Sequence, residues 1–201
     1  SFCYESMWLG FLRVMHTERT KGYKQTTVEL TASRDGRHWY RVGRREEMIP
    51  LGSEEQWDTD YHDPFWEPVA VGDELWIYYR SGKLRRDQKR RCDLGVAKLR
   101  RDGFVSLDAG SDPGTIVTRP LAFAGNRLFV NAEVSEGGYV KAAVLTREQQ
   151  PVEDRTLVDA IPVTQGGVTV PVTWKNTGKI TKPSGEHICI GFELKNARLY
   201  S

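Results

Sequence analysis

The sequence predicts an all-β protein, and three observations carry that expectation. Its apolar segments are short, about five to eight residues each, and rich in β-branched and aromatic types. No segment keeps an i, i+3, i+4, i+7 apolar stripe over three turns, so little helix is expected. The nine Pro and 19 Gly are scattered between those segments and read as turn residues, with no low-complexity tract.

Taken in order, "MWLGFLRVM", "TTVELTAS", "HWYRV", "EPVAVG", "ELWIYYR" and "DLGVAKLRR" have strand length and turn signals at their ends. In "VGDELWIYYRSG", Gly72 and Asp73 form the turn. Leu75, Ile77 and Tyr79 then share one face while Trp76 and Tyr78 share the other. A strand apolar on both sides predicts burial on both sides, as in stacked sheets. After Arg101 the alternation becomes cleaner. "RLFVNAEV" places Leu128, Val130, Ala132 and Val134 together, and "HICIGFEL" places Ile188, Ile190, Phe192 and Leu194 together. With "TIVTRPLAF", "YVKAAVL" and "VTVPVTW", separated by "AGNR", "SEGG" and "TQGG", the second half predicts an antiparallel β-sandwich of two sheets. "RRDGFVSLDAGSDPG" is the junction, giving expected domains 1–101 and 102–201.

With 39% hydrophobic residues, including six Trp, eight Tyr and seven Phe, 201 residues are ample for a buried core. Twenty-nine basic residues against 27 acidic ones leave a net charge of +2, too even for nucleic acid or a membrane surface to be the main partner. No apolar run reaches the roughly 20 residues that span a bilayer. Three widely spaced cysteines, Cys3, Cys92 and Cys189, make neither a disulfide framework nor a Cys-x-x-Cys metal site, and Cys189 reads as a buried apolar thiol. The chain opens in "SFCYESMWLGFLRVM" without an initiator Met or a leader, which predicts a piece of a longer protein and leaves its compartment open.

"VELTASRDGRHWYRV", "GDELWIYYRSG", "LGVAKLRRDGFVSLDAG", "GTIVTRPLAFAGNRLFVNAE" and "FELKNARLYS", in this order, resemble the C-terminal part of bacterial five-bladed β-propeller proteins related to glycoside hydrolases. That resemblance implies about two propeller blades over residues 1–101 and a jelly-roll-like sandwich over 102–201. It also implies that the first three blades, which carry the catalytic carboxylates in such proteins, lie outside this sequence. Within it, "SRDGRHW" resembles the Asp-box of sialidase-like blades, one residue shorter between Asp and Trp. Asp35, Gly36 and Trp39 are therefore expected to be structural: Asp35 bonding the turn backbone, Gly36 at positive φ, Trp39 anchoring the hairpin.

The densest polar and aromatic cluster is "EEQWDTDYHDPFWEP". Paired carboxylates with aromatic faces suit sugar, so Asp58, Asp60 and Glu67 are the candidate catalytic residues, and Trp57, Tyr61, His62 and Trp66 the candidate carbohydrate contacts. The competing account is a connecting loop whose acids cap turns. The string lacks the Gly and terminal Glu of an EF-hand loop, and neither a metal nor a cofactor is expected. "RSGKLRRDQKRRCDLG" reads as a solvated basic hairpin loop. His16, His38 and His187 suggest no triad, and Trp174 is either a core residue or a sugar platform.

Three functions follow as expectations: a non-catalytic relative of a glycosidase-type propeller protein with a structural or carbohydrate-binding role, a glycoside hydrolase using carboxylates of the 57–67 segment, or a structural protein whose open blades are completed by a second copy.

Overall fold

The computed structural model describes residues 1–17, 25–83, 91–180 and 187–200. It is all-β, with no helix among the described residues. Two compact units divide the chain, unit 1 over Ser1–Phe104 and unit 2 over Val105–Ser201.

Unit 1 carries eight strands: β1 (Phe2–Tyr4), β2 (Met7–His16), β3 (Gln25–Ser33), β4 (Tyr40–Arg41), β5 (Tyr61–Pro64), β6 (Val69–Val71), β7 (Glu74–Lys83) and β8 (Arg91–Arg100). They form one eight-stranded sheet made of two antiparallel groups. In the first, β1, β2, β3 and β4 follow one another; in the second, β7 takes β5 and β6 on one side and β8 on the other. The groups meet at one parallel residue pair, Thr26 with Tyr61, reinforced by the Thr26 amide donating to the Asp60 carbonyl at 2.8 Å.

The apolar side of β7 packs inward, with Leu75, Ile77 and Tyr79 at 1%, 2% and 8% exposure. Its other side is wetter than the alternation predicts, since Tyr78 is 44% exposed. Trp76 is only half-buried there and lies under the Lys98 ammonium, 4.6 Å from the ring centroid. Flat aromatic rings covered by a long cationic side chain satisfy an outer sheet face without a second sheet. β3 is enclosed along most of its length and buries Glu29, whose carboxylate takes both forks of the Arg41 guanidinium.

Unit 2 carries β9 (Ser106–Ala109), β10 (Gly114–Val117), β11 (Leu128–Leu145), β12 (Gly167–Val172) and β13 (Cys189–Tyr200) in one antiparallel sheet. β13 takes β9 and β10 on one side and β11 on the other, and β12 follows β11. Val130, Ala132, Val140, Val144, Ile188, Ile190 and Leu194 line one contiguous apolar cluster with Trp174 and Ile180. Each Val, Ile or Leu among them contributes about 1.5–3 kcal/mol by leaving water. The opposite side of β13 is also partly covered, because Cys189 packs with Ala143 and Leu145.

"RLFVNAEV" and "YVKAAVL" are expected as separate strands, yet β11 runs through both. "SEGG" forms a bulge in place of a reversal, with a register shift between Val134 and Tyr139 and Gly137 at φ 68°. A Gly-rich stretch marks either device, and here β13 continues alongside both halves and keeps the direction.

Candidate functional site

The Trp57–Glu67 segment is divided by its own geometry. Its first part turns inward around the Tyr79 ring. Trp57 lies nearly parallel to that ring, with centroids 6.0 Å apart and an interplanar angle of 13°, while His62 meets it edge-on at 4.7 Å. The Tyr79 hydroxyl donates to Asp58 Oδ2 at 3.2 Å. The ring needs the space above Gly95, where a Cβ would stand 2.6 Å from Tyr79 Cζ. Burial pushes the Tyr79 phenol up, and the neighbouring Asp58 carboxylate adds to the shift.

Asp60 and His62 are both fully enclosed, at 0% exposure. Asp60 accepts from the Thr59 hydroxyl at 2.8 Å. His62 donates from Nε2 to the Pro50 carbonyl at 3.0 Å, because a carbonyl can only accept, and its Nδ1 is buried without a hydrogen-bond partner. Strand alternation sends the odd-numbered neighbours outward. Tyr61 reaches Cys92, and Asp63 pairs with Arg13 at 3.2 Å and Arg80 at 2.5 Å. Burial, followed by the Cys92 contact, pushes the Tyr61 phenol up.

Beyond Pro64 the chain leaves the sheet, after the Phe65 amide has donated to the Tyr78 carbonyl at 3.0 Å. Phe65, Trp66 and Glu67 then stand at the surface between β5 and β6, with Trp66 at 87% exposure. They border a cavity of about 410 Å³ with Phe2, Phe11 and Pro64. Phe2 is buried and its ring packs against Phe11 at 5.3 Å, so aromatic side chains back a cavity whose exposed lining is mixed polar and apolar. Of the seven candidate catalytic and sugar-contacting residues, Trp66 and Glu67 border this cavity. Trp57, Asp58, Asp60 and His62 belong to the interior cluster, and Tyr61 to the outer face of β5. Phe2 and Phe11 carry no sequence signal for a site, since they sit in strands where a core aromatic reads identically.

The loop between β3 and β4 is held by its own residues. Ser33 Oγ accepts from the Gly36 amide at 2.9 Å, and Asp35 Oδ1 accepts from the amides of Arg37 and His38, both at 2.8 Å. His38 Nδ1 lies 2.6 Å from Asp35 Oδ2, and this contact, with the two amide bonds, holds the Asp35 carboxyl well below the usual carboxylate range. Gly36 has φ 70°, and the Trp39 indole donates to its carbonyl at 3.1 Å while the ring stays 37% exposed.

Trp174 lies in the core of unit 2 at 2% exposure, donating its indole N–H to the Ala142 carbonyl at 2.9 Å, so it presents no platform to solvent. Cys3 and Cys92 are exposed free thiols and Cys189 is a buried one. Residues 84–90, most of the basic loop, lie outside the described residues. Among the described residues no three His, Cys, Asp or Glu side chains converge, and no helix is long and apolar enough to cross a membrane.

Comparison with protein-family models, with curated proteins and with solved structures finds no match to this chain.

Proposed function

We propose that this chain is a non-catalytic relative of glycosidase-type propeller proteins and contacts carbohydrate through the aromatic cavity of unit 1. The observation that carries this reading is Trp66, 87% exposed beside a cavity that Phe2 and Phe11 also line. A bare indole offers a flat face to the C–H surface of a sugar ring, and Glu67 beside it offers an acceptor to sugar hydroxyls.

Unit 1 is one continuous eight-stranded sheet, so the two-blade description rests on the order of the quoted sequence segments and on the hydrogen-bonded Ser33–Trp39 loop. Unit 2 has a single five-stranded sheet in place of the two sheets expected of a sandwich, and its apolar face is covered by Ala160, Val163, Trp174 and Ile180. Hydrolysis needs two carboxyl groups flanking one bond, about 5–9.5 Å apart. Among Asp58, Asp60 and Glu67, Glu67 alone borders the cavity, which favours binding over hydrolysis.

Titration of the chain with xylo-, arabino- and fructo-oligosaccharides, followed by tryptophan fluorescence, tests the reading. Saturable quenching by at least one of them, lost in Trp66→Ala at an unchanged thermal midpoint, is the expected result. Equal binding by Trp66→Ala, or no binding by any oligosaccharide, would sink it. Turnover of an aryl glycoside abolished by Asp58→Asn, Asp60→Asn or Glu67→Gln would replace it with the hydrolase.

A further inference from the structure

We propose a second ligand site, in unit 2, for a small neutral polyol. It is a cavity of about 550 Å³ where β9, the bulge of β11 and β13 bring together Asp108, Gly110, Glu133, Ser135, Asn196 and Arg198.

The site begins with strand register. Arg198 pairs with Asp108 on one side and with Glu133 on the other, so three charged side chains stand in one row across three strands. Arg198 Nε lies 3.5 Å from Asp108 Oδ2 and Nη1 lies 3.6 Å from Glu133 Oε2. The Tyr200 side chain hydrogen-bonds both Arg198 and Glu133 and holds the row in place, and a guanidinium has five N–H groups, so Arg198 keeps donors beyond that bond and the two longer ion pairs. The Ser106 hydroxyl donates to Asp108 Oδ1 at 2.6 Å and orients that carboxylate from behind.

Next to this row the backbone is irregular in both partners. Asn196 takes a left-handed φ of 41° and its amide donates to the Gly110 carbonyl at 2.7 Å. The β11 bulge is seated directly on it: a Cβ on Gly138 would stand 2.5 Å from the Asn196 carbonyl oxygen. Bulges re-aim side chains, and this one brings Ser135 to the cavity beside Asn196.

The chemistry of the lining selects the ligand. Two carboxylates against one guanidinium disfavour phosphates and acidic sugars by like charge. A divalent cation is disfavoured because Arg198 stands between the carboxylates and no third acidic, His or Cys ligand converges with them among the described residues. The cavity has no aromatic wall for a flat apolar ligand. Donors from Arg198 and Asn196 beside acceptors from Asp108 and Asn196 match neighbouring hydroxyls, each of which donates and accepts.

The site shares no residue with the Trp66 cavity and deepens the carbohydrate reading without depending on Trp66. The test uses the full chain carrying Trp66→Ala, isotope-labelled, titrated with xylose, arabinose, glucose and myo-inositol. At least one of the four is expected to shift the backbone amides of Gly110, Asn196 and Ala197 saturably. Adding Asp108→Asn or Arg198→Gln should weaken that response about tenfold, with the rest of the amide spectrum unchanged. No saturable shift at these amides for any of the four overturns the site, as does an equal shift in both variants. Saturation by calcium chloride that displaces the sugar overturns it in favour of a cation site. Loss of oligosaccharide quenching in Trp66→Ala with these shifts intact would separate the two cavities.

Discussion

Unit 2 is built around a large contiguous apolar cluster in which Ala132, Val140, Ala142 and Val144 all stand at 0% exposure, with a small second cluster of Ala143, Leu145 and Cys189 and two buried polar residues, Asn131 and Arg155. Unit 1 divides its apolar core into Phe2, Leu9 and Leu30 on one hand and Ile49, Ile77 and Tyr79 on the other, and it also buries Glu29, Asp60, His62 and Ser81. An apolar interior is sensitive to volume, whereas a polar one is sensitive to the removal of single partners. Unit 1 commits Asp60 and His62 to such an interior, with Asp58 half-buried at its edge, so the surface of this segment comes mainly from Phe65, Trp66 and Glu67. The open indole of Trp66 stands apart from that network, free to be substituted without touching it.

The largest effect should come from the core of unit 2. Trp174→Ala removes a side chain at 2% exposure and leaves the Ala142 carbonyl without its indole donor. A loss of about 3–5 kcal/mol is expected in denaturant unfolding, with faster hydrogen exchange at the Val140 and Val144 amides. A cost below about 1 kcal/mol would mean that the cluster is not a cooperative core.

In unit 1 the sharpest contrast lies at His62. His62→Ala opens a cavity beside Tyr79 and loses the bond to the Pro50 carbonyl, at an expected cost of about 2–4 kcal/mol. His62→Phe also gives up that bond, but it keeps the ring against Tyr79 and removes the buried Nδ1 that has no partner. The two changes oppose each other, so His62→Phe should lie within about 1 kcal/mol of the wild type. Equal losses for both variants in the same unfolding assay would show that the imidazole polarity, rather than its volume, holds this interior.

These contrasts follow residues whose placement the sequence discloses unequally. Alternation makes the inward sides of β7 and β13 legible, because period two is a property of the strand itself. Which aromatic of Trp57–Glu67 faces water is not legible, because it depends on β5 pairing with Gly82 and Ser81 of β7 and on the chain leaving the sheet after Pro64. Length misleads at Ser135–Gly138, where glycines that would suit a turn let one strand bend and continue. The row Glu133, Arg198 and Asp108 leaves no local trace at all, since it arises from three distant segments meeting in register. The short hydrogen-bonded loop at Asp35 is the opposite case, complete within Ser33–Trp39 and therefore readable from those residues.

The smallest effect, and the one that tests the polar side of unit 1 by pH alone, concerns Tyr4. Its hydroxyl donates to Asp102 Oδ1 at 2.5 Å, and burial, followed by that bond, pushes the phenol up to about 12 from an ordinary 10.0. The folded chain therefore holds the Tyr4 proton more tightly than the unfolded chain does. The stabilisation is complete below the unfolded pKa of 10.0 and is lost as pH rises toward about 12. Across that window the wild type should lose more stability than Tyr4→Phe, which has no proton to release, and the two unfolding curves should converge at the alkaline end. Tyrosinate absorbance should likewise show one fewer late-titrating phenol in the variant. Parallel stability curves across the window would mean that Tyr4 and Asp102 are not coupled in the folded chain, and that Tyr4 serves this edge of unit 1 through its ring against Phe104.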